Sequence, residues 1–311
     1  MAIIHFLNVG NGDCSLIEHD SGRNTIIDIC CGNNADNLSE AIDRRVGGNG
    51  NYRQKDYPIN PIRYFCDIDI KNIFRFILTH PDMDHMDGIY KLYKEFKFEN
   101  FWDTKNNKKI DNFDDGIYLI DDWNFYQSIR KKESNPKIIY NYAMNKGNFW
   151  TDDGLTILAP SLDLVREANK TQNYNNCSYV ILFNNNGRRI IFAGDSGQES
   201  WDYILNNYDK YVRNIDILIA PHHGRRSGGN DKYLDILNPK LSLLGNAESE
   251  YMDYNAWNNR NLCHMTNNQA GSIKLVINNN GEILVYISNK LFAENYNSIS
   301  DGNGWWFIGK V

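Results

Sequence analysis

Read for alternation of apolar and polar positions, the chain opens on short β-branched runs, "AIIHFLNVG" and "CSLIEHDSGRNTIIDIC", separated by Gly, Asn and Asp clusters. Runs bounded by such turn residues predict a hairpin or meander, so roughly the first forty residues are expected to be mostly sheet. "IDIKNIFRFILTH" predicts another buried strand. In the segment "HPDMDHMDGIYKLYKEF" that follows, Met86, Ile89, Leu92, Tyr93 and Phe96 recur at helical spacing.

Residues from about 97 to 150 are rich in Asn, Lys, Asp and aromatics, hold one helical stretch, "DDWNFYQSIRKKE", and read as an insertion. Trp102, Trp123, Phe125 and Tyr126 are expected to pack its core, with base stacking as the alternative. Lys105, Lys108, Lys109, Arg130, Lys131 and Lys132 read as surface charge. Regular patterning then returns. "GLTILAP" predicts a strand, "CSYVILFNNNGRRIIFAGD" two strands joined by an Asn-Asn-Gly turn, "ESWDYILNNY" a helix, "NIDILIAPHHG" a strand, and "GSIKLVINNNGEILVYIS" a last hairpin. This order predicts a single α/β domain over residues 1–311, two sheets with helices outside.

Composition bounds what such a domain does. With 311 residues, 41% hydrophobic and 23% charged, the chain can bury a core able to hold a site rigidly. A formal net charge of −6 speaks against a protein that mainly coats nucleic acid, while leaving room for a locally basic site. No stretch reaches the roughly 18 to 20 apolar residues of a membrane helix. "MAIIHFLNVGNGDC" has neither the basic start nor the apolar middle of a signal peptide, so a cytoplasmic location without membrane contact is expected. The six cysteines form no C-x-x-C pair and read mostly as reduced, buried thiols. Neither a G-x-S-x-G elbow nor a G-x-x-x-x-G-K-[ST] phosphate loop is present.

The chemistry concentrates at strand ends. "LTHPDMDHMDG" places His80, Asp82, Asp84 and His85 in a loop after a strand, where alternate residues of an extended segment share a side. Imidazole with carboxylate and no thiolate suits Zn, Mn or Fe; the alternative is acidic capping of a helix N-terminus. Two further predicted strands end in the same chemistry, "FAGDSG" at Asp195 and "APHHGRRSG" at His222 and His223, which points to one shared site.

Taken together, "HFLNVGNGDCSLIE", "IIDICCG", "ILTHPDMDHMDGI", "IIFAGDS" and "IAPHHG" resemble the metallo-β-lactamase fold, in the branch typified by the hydrolase domain of the competence protein ComEC. The resemblance runs from residue 3 to about residue 289. It implies a four-layer αββα sandwich and two divalent metal ions, Zn or Mn. By the same resemblance His80 and Asp82 hold one metal, Asp84 and His85 the second, Asp195 bridges, and His222 or His223 completes the set. His222 is favoured for the metal, with His223 turned to substrate as proton donor or phosphate contact. Asp28 matches the aspartate that supports the metal loop, or else is an ordinary turn residue. Asn176 and Ser178 stand where the third motif of the superfamily usually carries a histidine. Asn8 replaces the usual first aspartate of D-V-G-Q-G-D, and Arg225 replaces a serine after the paired histidines.

Arg225 and Arg226 read either as a phosphate grip or as a solvated loop. The expected activity is metal-dependent hydrolysis of a phosphodiester by a metal-bridging hydroxide, oriented by Asp84 and Asp195. The resemblance favours a nuclease acting on DNA or RNA. The alternatives are a small phosphodiester such as a cyclic nucleotide or choline-phosphate ester, a lactone or other ester, and a non-catalytic binding module.

Overall fold

The structure, a computed structural model, describes residues 1–34, 51–114, 116–226 and 229–311. The part of the expected opening sheet at residues 35–40 lies outside the described residues. The strands are β1 (Ala2–Phe6), β2 (Ser15–Glu18), β3 (Asn24–Ile27), β4 (Arg75–Ile77), β5 (Asn100–Asp103) and β6 (Lys137–Tyr140). There follow β7 (Leu155–Ala159), β8 (Val180–Asn185), β9 (Arg188–Phe192), β10 (Ile217–Ile219), β11 (Leu241–Leu244) and β12 (His264–Thr266), and then β13 (Ile273–Ile277), β14 (Ile283–Ile287), β15 (Ile299–Ser300) and β16 (Trp306–Lys310). One sheet has the order β15-β16-β14-β13-β1-β2-β3-β4-β5-β6, the other β12-β11-β10-β9-β8-β7.

Burial explains both kinds of sequence pattern. In β13 and β14 every second residue is buried, the signature of a strand covered on one face more than the other. By contrast β4 and β10 are buried at every position and run parallel to their neighbours, which is why "FRFIL" and "IDILIA" read as continuous apolar runs. The sheets face each other across one apolar layer containing Ile4, Ile27, Ile77, Ile181, Phe192 and Ile219. Outside the first sheet, helices Pro61–Asp67, Ile89–Phe96 and Ile120–Arg130 pack Phe65, Leu92 and Tyr126 onto Phe76 and Phe101. Outside the second, Trp201 and Ile204 of Gln198–Val212 and Leu234 of Lys232–Leu237 pack onto Ile191 and Leu218. These are the four layers, αββα.

Residues 97–150 are woven into this frame rather than inserted into it. β5 and β6 extend the large sheet in parallel from β4, and Ile120–Arg130 covers that extension. Trp102 is fully buried between the sheets, and Trp123, Phe125 and Tyr126 are buried under the helix, so these rings are core. The polar loop between β5 and the helix dilutes the apolar pattern that marks the strands elsewhere. Four cysteines are buried as expected; Cys66 and Cys263 are exposed. Among the described residues no helix is long and apolar enough to cross a membrane.

A buried ion cluster ties the sheets together at the start of β4, away from the strand end that leads to His80. Arg75 is 1% exposed, donates to Thr25 Oγ1 at 2.8 Å and to Asp153 Oδ2 at 3.1 Å, and Arg23 reaches Asp153 Oδ1 at 2.7 Å. Removing one partner of a buried pair strands the other. Asp153→Asn is therefore expected to lower unfolding free energy by about 3–5 kcal/mol, read by urea denaturation. Beside the cluster, buried His19 bonds Thr25 Oγ1 through Nε2 at 2.9 Å. Burial, with Arg75 and Arg23, holds its pKa down to about 4 against the pull of Asp153. The unfolded chain takes up this proton near pH 6.5 and the folded chain only near 4, so acidification across that window favours unfolding. Between pH 7 and pH 5 His19 is expected to remove about 2 kcal/mol, and His19→Gln to flatten that share of the pH dependence of the urea midpoint.

Candidate metal centre

The residues singled out by sequence come from loops at the ends of parallel strands in both sheets. Asp28 follows β3, the segment 79–85 follows β4, Asp195 follows β9, and His222 and His223 follow β10. This is where open parallel sheets carry their sites. The backbone turns hard to aim these side chains: Asp28, His222 and His223 adopt φ of 57°, 51° and 58°, a left-handed region unusual for such residues. Gly194, at φ 50°, lets the Asp195 loop touch the opposite sheet's loop, since a Cβ there would lie 2.9 Å from Thr79 Cβ.

Asp195 is the centre of the cluster. Its Oδ1 lies 3.3 Å from His85 Nε2 and 3.6 Å from His223 Nε2. Its Oδ2 lies 3.6 Å from His222 Nε2 and 3.9 Å from His80 Nε2. Asp84 Oδ2 approaches His85 Nε2 at 3.8 Å, and Asp82 Oδ1 approaches His80 Nε2 at 3.8 Å. Ligand-type atoms of His80, His85 and Asp195, and of Asp84, His85 and His223, lie within 4.8 Å of one another. The six residues expected as ligands are thus brought together with the second histidine of the pair. It is His223 that joins Asp84 and His85, while His222, 21% exposed in its side chain, stands with His80.

A shell of hydrogen bonds fixes these groups. Asp28 accepts from Thr79 N at 2.8 Å and Thr79 Oγ1 at 2.6 Å, and lies 2.8 Å from His85 Nδ1, which leaves His85 Nε2 for the centre. Thr79 Oγ1 is 3.1 Å from His80 Nδ1. Ser178 Oγ accepts from the Asp195 backbone N–H at 3.1 Å and so positions the central carboxylate. Asn176 is buried beside the Asp195 loop, with Oδ1 lacking a hydrogen-bond partner.

Two residues at the centre have roles that the sequence did not disclose. Asp13 Oδ1 lies 3.1 Å from His223 Nδ1, an ion-pair contact without the hydrogen-bond geometry of Asp28 at His85. The only signal was its place at the end of "NVGNGD". Lys108, expected as surface charge, reaches Asp82 Oδ1 at 2.5 Å. Other expectations shift outward. Arg226 is largely exposed, with Nε 4.0 Å from Asp253, while Arg225 lies over the Tyr251 ring at 5.1 Å. Asn8 is a clamp for neighbouring loops: its Nδ2 donates to the carbonyls of Gln54 and Tyr57, and its Oδ1 accepts from Asn246.

The donor set fits a divalent cation. Buried polar atoms are normally hydrogen-bonded, yet Nε2 of His80, His85 and His223 and Oδ1 of Asp195 have no hydrogen-bond partner. All four are buried and converge. A cation bound by neutral imidazoles and carboxylate would satisfy them together. The charges already favour an ionised carboxylate: burial raises the Asp195 pKa, but His223, His85 and His80 outweigh it and hold it well below the usual range.

No protein-family model and no curated protein matches the chain. Solved structures with a similar chain path include a diphosphatase from the PhnP family (11% identity, 78% of this chain and 85% of that one, TM-score 0.37). The metallo-β-lactamase SMB-1 aligns with 81% of this chain and 89% of its own at 12% identity and a TM-score of 0.37. CmlA, a diiron β-hydroxylase from Streptomyces venezuelae, aligns with 78% of this chain and 44% of its own at 13% identity and a TM-score of 0.41.

The position of Asp13 carries a test. Carboxylates that orient a metal-ligating imidazole typically contribute about 10–100-fold to metal affinity. Asp13→Asn is expected to weaken Zn²⁺ binding by about that factor, measured by competition with a chromophoric chelator.

Proposed function

We propose that the protein is a metal-dependent hydrolase of phosphodiesters, built around two divalent-ion positions that share Asp195. Asp84, His85 and His223 furnish one position; His80, Asp82 and His222 furnish the other. The observation that carries this reading is the division of the two Asp195 oxygens between two histidine pairs, with buried nitrogens left open toward the centre. The ligand assignment of His223 and the place of His222 at the more exposed side revise the roles expected for that pair.

Divalent ions held by these residues, Zn²⁺ or Mn²⁺, would supply Lewis acidity there, acidifying water and neutralising charge on a phosphoryl group. The chain's own residues do the rest. Asp84 is only partly buried and faces His85, so its carboxylate is placed to orient an attacking water and accept its proton. Asp28 holds His85 in one orientation through a hydrogen bond, so this ring needs no reorganisation during the reaction, and Asp13 faces His223 Nδ1 as its charge partner. Lys108, with Arg225 further out, gives the pocket fixed positive charge suited to an anionic substrate.

Asp82 in place of the usual histidine, with Asn176 and Ser178 in the third motif, supports placement in the ComEC-like branch and, within phosphodiesters, a nucleic-acid strand ahead of a small ester. Purified protein supplied with Mn²⁺ or Zn²⁺ is expected to cleave bis-p-nitrophenyl phosphate and single-stranded DNA, and Asp84→Ala to lose both activities while keeping the urea midpoint of the metal-free protein. Cleavage of the small ester alone would assign a small phosphodiester; activity that survives in Asp84→Ala would overturn the mechanism.

A further inference from the structure

We propose that Lys108 makes the two ion positions unequal, so that the Asp84–His85–His223 position fills first and the His80–Asp82–His222 position fills only as Lys108 gives way. The inference rests on the metal-centre reading above and adds an order of loading to it. The lysine ammonium sits 2.5 Å from Asp82 Oδ1, the same oxygen that faces His80 Nε2 at 3.8 Å. An ion drawn to that position must compete with a positive charge already seated on its carboxylate. Among the described residues, no ammonium or guanidinium forms an ion pair with Asp84 or Asp195.

Lys108 is placed, not merely nearby. Its backbone N–H donates to Asn106 Oδ1 at 3.2 Å, and Asn106 is itself buried. Asn106 Nδ2 donates to Asp103 Oδ1 at 3.2 Å and to Tyr126 Oη at 2.9 Å, and Arg130 donates to Asn106 Oδ1 at 3.2 Å. Arg130 Nε closes the brace at 3.2 Å from Asp103 Oδ2. Outside it, Asn107 is bonded by Asn169 and Tyr174, and the Lys108 ammonium lies 5.5 Å from the Tyr174 ring centroid. A loop held by this many buried polar contacts presents its lysine in one place, and that lysine side chain is only 19% exposed.

The test is a titration of metal-free protein with Zn²⁺ alone, followed by chelator competition and needing no turnover. Wild type is expected to take one equivalent tightly and a second at least about tenfold more weakly. Lys108→Met is expected to tighten the second equivalent about tenfold, and Lys108→Arg, which keeps the charge, to retain the wild-type isotherm. Two indistinguishable equivalents in wild type, or superimposable isotherms for wild type and Lys108→Met, would overturn the inference while leaving the hydrolase reading intact. Absence of Zn²⁺ binding in all three proteins would overturn both.

Discussion

A carboxylate buried among imidazoles is the constraint around which the molecule is arranged. Alone in an apolar interior, Asp195 would be strongly disfavoured as an anion; ringed by His80, His85, His222 and His223 it has compensating dipoles and charges on both oxygens. Meeting that condition dictates much of the local fold. Parallel strands from two sheets must end at one place, three residues must accept left-handed backbone, and a glycine must precede Asp195 so that the loops can meet. The carboxylate of Asp28 then turns one of the rings inward, and that of Asp13 faces another.

The opposite end of β4 shows the same physics with another solution. There a buried guanidinium, Arg75, is matched by Asp153 across the gap between sheets. One end of the sandwich is closed by an ion pair that is complete within the chain. The other presents nitrogens and oxygens that the chain leaves for something else, and this difference separates a structural cluster from a functional one.

Where two physical constraints coincided in one segment, the sequence was readable. "FILTHPDMDH" joins a doubly buried strand to a loop of ligand-type residues, and "IIFAGDS" and "IAPHHG" do the same, so both strands and site residues could be named. The hairpin β13–β14 was legible from its alternation and its Asn-Gly turn. The strands β5, β6, β11, β12 and β16 were not, because they are short and their burial depends on partners far along the chain. The same holds for Asp13 and Lys108. Each acts on a residue remote in sequence, and nothing in its own neighbourhood marks it. Asn8 was marked by its place in a recognisable pattern, but only three-dimensional packing shows it as a loop clamp.

Because the loop after β4 supplies one group of candidate ligands and the loops after β9 and β10 the other, the centre spans the seam between two separately hydrogen-bonded sheets. An ion there would fasten the two layers at the end of the sandwich opposite the Arg75 cluster. Binding to the native state alone is thermodynamically coupled to folding: at a free concentration one hundred times the dissociation constant, an ion adds about 2.7 kcal/mol to the unfolding free energy. With an ion seated there, the stability of the sandwich and the supply of metal around it would be one linked quantity.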